Sequence, residues 1–523
     1  ATSGPGAIHL LNGLYDAKLD NVPVVALVGQ TNRSAMGGAY QQEVDLISLY
    51  KDVASEYVQM VTVPEQLPNV LDRAMRVAMA RRTATAVIIP ADVQELPYSA
   101  PGHAFKMVPS SLGLTRPAQV PSSDDLARAA EVLGAGKKVA ILAGAGARGA
   151  ADELRQVAEL LGAGVAKALL GKDVLSDELP YVTGAVGLLG TRPSYELMSE
   201  CDTLLTVGSS FPYSQFMPEY GRARGVQIDI DPTLIGMRYP YEVNLVGDAA
   251  ATLRALIPLL SEKKDRSWRD GVERNVARWW ETMRMQADLE ADPINPMRLF
   301  AELSERLPDD AIVAADSGSA ANWYARNLRF RGRMRGSLSG TLATMGPGVP
   351  YGIGAKFANP DRPVIVLEGD GAMQMNGLAE LITIKRYWPE WSDPRLVVAV
   401  LHNNDLNQVT WEMRAMQGAP KFTDSQTLPE VSYAGFAEGL GLGAHAVERP
   451  EDIGSAWDAA LAADRPTVLD IRCDPNVPPI PPHATWEQMK DTTLSLMHGD
   501  EDRWAMLVRG AQTKLQEFLP HRS

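Results

Sequence analysis

The run Leu396-Val397-Val398-Ala399-Val400-Leu401 carries no polar residue on either face. A strand that is apolar on both faces must be covered on both, which confines it to the inside of a parallel sheet layered by helices. The chain repeats this pattern. In a first block, 1–105, Val22-Pro23-Val24-Val25-Ala26-Leu27-Val28 and Ala86-Val87-Ile88-Ile89-Pro90 read as fully buried parallel strands. A Pro-rich stretch from Pro101 to Pro121 reads as a linker. A second block, 122–262, holds strands at Val139–Ala143, Thr203–Gly208 and Gly225–Asp231. A third, 295–475, holds Ala311–Asp316, Pro363–Glu368 and the run above, and 476–523 forms a C-terminal extension. Helical spacing fills the gaps, so the expected class is α/β with three doubly wound parallel-sheet domains. A charged helical linker between the second and third carries Trp268, Trp279 and Trp280, expected to pack on a neighbouring domain.

Composition narrows the function classes. With 45% hydrophobic and 22% charged residues, disorder, collagen and coiled coil are excluded. The net charge of −14 argues against non-specific nucleic-acid binding, and no nucleic-acid partner is expected. No window approaches the length of an uninterrupted apolar span, so no membrane-crossing segment is expected. Two cysteines, Cys201 and Cys473, fit a reducing compartment, and the expected location is the cytoplasm. The chain opens on Ala1 inside a Gly-Pro-Gly turn, which leads us to expect a preceding N-terminal segment that would complete the first domain.

Ligands of doubly wound folds bind outside the carboxyl ends of the strands. Pro363–Glu368 ends in Gly369-Asp370-Gly371, where two glycines let the backbone approach a ligand closely and turn into a helix. The next strand ends in His402-Asn403-Asn404-Asp405. A carboxylate and an amide oxygen side by side are hard ligands for Mg²⁺ or Ca²⁺, with a phosphorylated ligand completing the shell. Each motif alone is more often an ordinary turn; at the ends of successive strands they point to a metal–diphosphate site.

Gly369-Asp370-Gly371, 31 residues, then Asn403-Asn404 resembles the diphosphate signature of thiamine-diphosphate enzymes. Thr2-Ser3-Gly4-Pro5-Gly6 and Gly340–Gly348 are similar to the same superfamily, closest to the pyruvate oxidases and quinone-dependent pyruvate dehydrogenases, then to the acetolactate synthases. The resemblance implies that Asp370, the Asn404 side chain and the Leu406 carbonyl bind the metal. It implies cofactor contacts at Pro5, Ala343, Thr344, Met345, Gly371 and Ala372, with Met345 as the bulky apolar residue that bends the cofactor. It also places an essential glutamate upstream of Ala1. The spacing before Asn403 is longer than usual, and Tyr387–Arg395 reads as an insertion that bulges on the surface.

In the second block, Gly144-Ala145-Gly146-Ala147-Arg148-Gly149 is a glycine turn that would cradle a diphosphate or serve tight packing. Asp229, at a strand end, could accept bonds from an adenosine ribose. With Thr183–Gly190, Gly208–Tyr213 and Gln227–Pro232, this turn resembles the FAD-binding stretches of pyruvate oxidases. The resemblance implies FAD contacts at Gly144, Arg148, Val186, Gly187, Leu188, Leu189, Ser209, Ser210, Phe211, Pro212, Tyr213 and Asp229. His9, Gln42 and Glu412 fall where the family places active-site groups, with Gln41 replacing an aromatic residue before Gln42.

The expectation is therefore an enzyme using thiamine diphosphate, Mg²⁺ and FAD to decarboxylate a 2-oxo acid, pyruvate first, and to pass electrons to O₂ or a quinone. Two alternatives stand beside it: a carboligase of acetolactate-synthase type with a non-redox flavin, and a catalytically inactive binding or regulatory homologue. The resemblance implies a homodimer or homotetramer. Residues 502–519 space Trp504, Leu507, Val508, Ala511, Leu515, Phe518 and Leu519 helically, with Arg503, Arg509 and Lys514 between. Such a helix either docks on its own protein or lies on the inner face of a membrane to deliver electrons to quinone.

Overall fold

The computed structural model describes residues 1–100, 102, 118–479 and, beyond these, 495, 500, 502, 505, 506 and 509. The chain divides into two compact units, Ala1–Pro117 with Ser339–Thr344, and Ala118–Leu338 with Met345–Ser523.

In the first unit, β1 (Val24–Gln30), β2 (Val58–Met60) and β3 (Ala84–Pro90) form a parallel sheet in the order β1-β3-β2. β3 is central and buried along almost its whole length. β1 corrects the expectation of full burial: it lies at the sheet edge, burying Ala26 and Val28 while Leu27 and the preceding Val22 are each 48% exposed. Cover on its second face is incomplete, so an all-apolar run sits half open. The helix Pro5–Leu19 begins with Pro5 at its first turn, where a missing N–H costs nothing, and packs Ala7 and Leu14 against Tyr50 and Val28.

The second unit holds two six-stranded sheets. The first comprises β4 (Val139–Ala143), β5 (Gly164–Lys167), β6 (Val182–Ala185), β7 (Thr203–Val207), β8 (Arg224–Asp229) and β9 (Val243–Val246). Its order is β6-β5-β4-β7-β8-β9, so the winding reverses between β4 and β7. The other comprises β10 (Ile312–Ala315), β11 (Arg335–Ser337), β12 (Val364–Gly369), β13 (Leu396–His402), β14 (Gly443–Val447) and β15 (Thr467–Arg472), ordered β11-β10-β12-β13-β15-β14. Every ladder in both sheets is parallel, and β12 and β13 are adjacent with Gly369 opposite Leu401. The three parallel sheets expected from the apolar runs are present.

Asp177 ties these two sheets together. Its amide donates to the Phe330 carbonyl at 2.8 Å, and its Oδ2 accepts from the Phe330 amide at 2.9 Å. Its Oδ1 pairs with the buried Lys167 at 2.7 Å. Lys172, beside it, donates to the Ala325 carbonyl, and burial pulls its pKa down to about 8. The helix Ser267–Ala287 follows: Trp268 Nε1 donates to the Val139 carbonyl, Trp279 is buried, and the Arg329 guanidinium stacks 4.1 Å from the Trp280 ring centre.

Two further expectations meet the structure here. The segment 387–395 does not bulge. Trp391 is buried in the core beneath β12 and β13 and meets Phe357 edge to face, while Lys356 donates to the Asp393 carbonyl. Most of the amphipathic stretch 502–519 lies outside the described residues. Of the extension, Asp500 forms a buried two-bond pair with Arg414 at 2.7 and 2.8 Å, Asp502 joins Arg414 at 2.9 Å, and Arg509 pairs with Asp474 at 3.2 Å. Among the described residues no helix is long and apolar enough to cross a membrane.

Candidate active site

The carboxyl ends of β10, β12 and β13 converge on one constellation. β12 runs to Gly369, and Asp370 turns the chain into a short helix, Asp370–Ala372. Its Oδ1 accepts from the Gly371 amide at 2.9 Å, and Oδ2 accepts from the amides of Asn403 and Asn404 at 2.9 and 2.6 Å. A carboxylate offers about four lone-pair positions, so three bonds leave one. Burial pushes the Asp370 pKa up to about 6. Asn404 has φ 52°, and its side-chain Nδ2 donates to Glu430 Oε2 at 2.8 Å. Its Oδ1 is buried with no hydrogen-bond partner. The Leu406 carbonyl takes one bond, from the Thr410 amide that starts the helix Asn407–Gln417. Gly371 packs closely beside it: a Cβ there would lie 2.8 Å from Leu406 Cδ2, so a larger residue would make the Leu406 side chain shift.

Asp370, Asn404 and Leu406 thus each keep a free oxygen position, and the donor set is the hard-oxygen set a Mg²⁺ ion takes. Only one of the three is charged. Among the described residues no group of three or more His, Cys, Asp or Glu could hold a metal alone, so the fit is to a cation that arrives with an anionic ligand such as a diphosphate.

Neighbouring groups were not singled out from sequence. Asp316, at the end of β10, accepts from the amides of Gly346 and Gly348 at 3.0 and 2.8 Å and so shapes the loop after Met345. Glu368 is buried beside it, and burial together with the negative charge of Asp316 holds its carboxyl well above the usual range. A carboxylate in an otherwise apolar strand, two residues before Asp370, was the signal available. Glu430, Arg472, His402 and Asp470 form a second group, and Arg472 chiefly, then Asn404, bring the Glu430 pKa down to about 2. Glu430 follows Asn404 by 26 residues in a loop, with no pattern to betray it.

The other expected residues are placed as follows. In the first unit, Gly4 has φ 61°, and a Cβ there would meet Gln42 Cβ at 2.8 Å, while Ser3 Oγ donates to Gln42 Oε1 at 3.1 Å. The Pro5 turn and Gln42 are therefore brought together. Asn12 donates to Thr344 Oγ1 at 3.0 Å, Ala343 has φ 55°, and His9 is exposed on the same helix as Asn12. In the second unit, Met345 is 48% exposed, which removes a core role. Ala372 is buried, and Glu412 is exposed and accepts from Gln408 at 3.0 Å.

At the reversal between β4 and β7, the glycine turn is committed to packing. The amides of Gly144, Gly146, Ala147 and Arg148 donate to the carbonyls of Val207, Gly208, Gly144 and Ala145. A Cβ on Gly144 would lie 2.3 Å from the Gly208 oxygen, and the Arg148 side chain binds Asp173 at 2.9 Å. These four amides are taken up within the turn and against the end of β7, the tight-packing half of the two readings. The loop Val186–Leu189 instead touches Ser209–Tyr213 through Gly187 and Phe211, with Ser210, Pro212 and Tyr213 exposed. Asp229 Oδ1 accepts from the Asp231 amide at 3.0 Å.

Fold and site define a doubly wound α/β protein with its polar constellation at the strand ends of a parallel sheet. The chain belongs to the thiamine pyrophosphate enzyme family. It matches that family's N-terminal TPP binding domain over residues 1–49, its central domain over 126–256 and its C-terminal TPP binding domain over 316–471. It is 33% identical over 494 residues to YdaP of Bacillus subtilis, described as a thiamine pyrophosphate-containing protein, spanning 93% of this chain and 82% of that one. It is 30% identical to the acetolactate synthase large subunit of Corynebacterium glutamicum, spanning 90% and 75%. It is also 30% identical to pyruvate oxidase of Lactiplantibacillus plantarum, spanning 74% and 63%.

Proposed function

We infer that this chain binds thiamine diphosphate with Mg²⁺ at Asp370, Asn404 and Leu406 and decarboxylates a 2-oxo acid, pyruvate first. The observation that carries this reading is the buried, unpartnered Asn404 Oδ1 next to an Asp370 carboxylate ordered by three amides. Thiamine diphosphate, when bound, supplies the electron sink for loss of CO₂. The chain's own part is positional. Asp316 holds the Gly346–Gly348 loop, Met345 presents an exposed apolar side chain, and Gln408 orients Glu412 midway along the helix Asn407–Gln417.

We further propose oxidative turnover with FAD held by Val186–Leu189 and Ser209–Tyr213 at the winding reversal of the second unit's first sheet. FAD, when bound, would accept two electrons. A carboligase reading stands beside it, favoured by the longer span of the match to an acetolactate synthase than to a pyruvate oxidase. An anaerobic visible spectrum of the purified protein, before and after pyruvate, separates them. Bleaching of a flavin supports oxidation; a flavin that stays oxidised while pyruvate is consumed supports carboligation. Absence of any flavin removes the FAD proposal, and no CO₂ release from any 2-oxo acid removes the decarboxylase.

A further inference from the structure

A carboxamide has a donor end and an acceptor end, and a metal ion wants only the acceptor. In Asn404 the choice is made by Glu430. Asn404 Nδ2 donates to Glu430 Oε2 at 2.8 Å, and an ionised carboxylate can be met only by the donor end. Turning the amide over would set Oδ1 against carboxylate oxygens. This turn leaves Oδ1 buried and unpartnered, on a residue whose backbone amide donates to Asp370 Oδ2 at 2.6 Å.

Glu430 is itself held. Arg472 Nη1 donates to Oε2 at 2.8 Å and Nη2 donates to Oε1. The same Nη1 lies 3.3 Å from His402 Nε2, and His402 Nδ1 lies 2.7 Å from Asp470 Oδ1. Asp470 Oδ2 accepts from the amides of Tyr433 and Ala434, and the Tyr433 hydroxyl donates to the Asp370 carbonyl at 3.1 Å. The ring of bonds therefore starts at one expected metal ligand and closes on the other.

We propose that Glu430, gripped by Arg472, is a positioning residue that fixes which end of the Asn404 amide faces the metal. This rests on the reading of Asp370 and Asn404 as metal ligands. Its bonds run to Asn404 and Arg472, so it would act through Asn404, as outer partners orient ligands at other metal sites.

The test is a Mn²⁺ titration of the full chain with saturating thiamine diphosphate, reading free Mn²⁺ by electron paramagnetic resonance. Thermal unfolding of the metal-free protein serves as the control on folding. Glu430→Ala is expected to weaken Mn²⁺ at least about tenfold with unfolding unchanged. Glu430→Gln, which keeps an acceptor oxygen for Asn404 Nδ2, should recover to within about threefold of the wild type. The sign should invert in an Asn404→Asp background, where the carboxylate of residue 430 repels instead of orienting. There, Glu430→Ala should tighten Mn²⁺ or leave it unchanged. If the wild type binds Mn²⁺ and Glu430→Ala binds it equally, the inference is overturned, and so it is if both backgrounds lose affinity alike. A wild type that binds no Mn²⁺ with thiamine diphosphate overturns instead the ligand reading on which it rests.

Discussion

Asp16 and Ser339 stand 323 positions apart in the chain and 2.6 Å apart in space, the serine hydroxyl donating to Oδ1. With Asp20, which accepts from the amides of Gly340 and Thr341 at 3.2 and 3.0 Å, Asp16 seats the loop Ser339–Thr344 on the helix Pro5–Leu19. Burial pushes the Asp16 pKa up to about 6, against the Ser339 bond, which favours the anion. Between about 4 and 6 the unfolded chain has released this proton and the folded chain still holds it. Stability must therefore fall as pH rises through that window and level off above it. Asp16→Asn should remove a decline of the order of 1 kcal/mol, allowing for solvent screening. Urea midpoints of both proteins from pH 4 to 7 check this; parallel curves would refute it.

The Arg414–Asp500 pair is buried on both sides. Among the described residues, Asp500→Ala leaves the buried guanidinium with the partly exposed Asp502 as its remaining carboxylate, at a cost of about 3 kcal/mol. Arg414→Met with Asp500→Leu should cost less than Asp500→Ala alone, because neither charge is then stranded. Chemical unfolding of the wild type and both variants decides it, and a double variant that loses as much as Asp500→Ala or more would count against the argument.

Trp391 separates a surface bulge from a core element. If the segment 387–395 is core, Trp391→Ala should destabilise by about 3 kcal/mol or more. A change under about 0.5 kcal/mol would return the segment to the surface.

Gly348 and Gly354 lie on one helix with opposite surroundings. A Cβ on Gly348 would fall 2.0 Å from Glu368 Oε2 and 3.2 Å from Asp316 Cβ, whereas Gly354 faces open space. Gly348→Ala should displace the Asp316 loop and weaken thiamine diphosphate by more than about tenfold, equivalent to about 1.4 kcal/mol. Gly354→Ala should bind normally and gain up to about 1 kcal/mol in stability. Calorimetric titration with the cofactor checks both, and equal affinities would refute the loop argument.

Apolar runs made the sheets legible because burial on two faces leaves a one-dimensional signature. The edge position of β1 was not legible, since Leu27 reads the same whether or not something covers it. Asp370 and Asn404 could be found because each ends an apolar strand. Glu430 and Arg472 could not, since loop and strand meet there only in three dimensions. The Gly144 turn reads two ways for a related reason: glycine serves close backbone packing and ligand approach alike, and the sequence does not show where its amides go.

Residue 404 is held at φ 52°, which asparagine and aspartate adopt more readily than most L-residues and glycine more readily still. Glycine would bring no oxygen, and aspartate would set a second carboxylate against Glu430. The backbone and the proposed ligand role thus favour asparagine at this position from two directions. Leu406 is the opposite case: a main-chain carbonyl is indifferent to the side chain it carries. Position 406 is therefore free to vary among residues that pack on Gly371, so two equal ligands of one ion would carry very unequal tolerance to mutation.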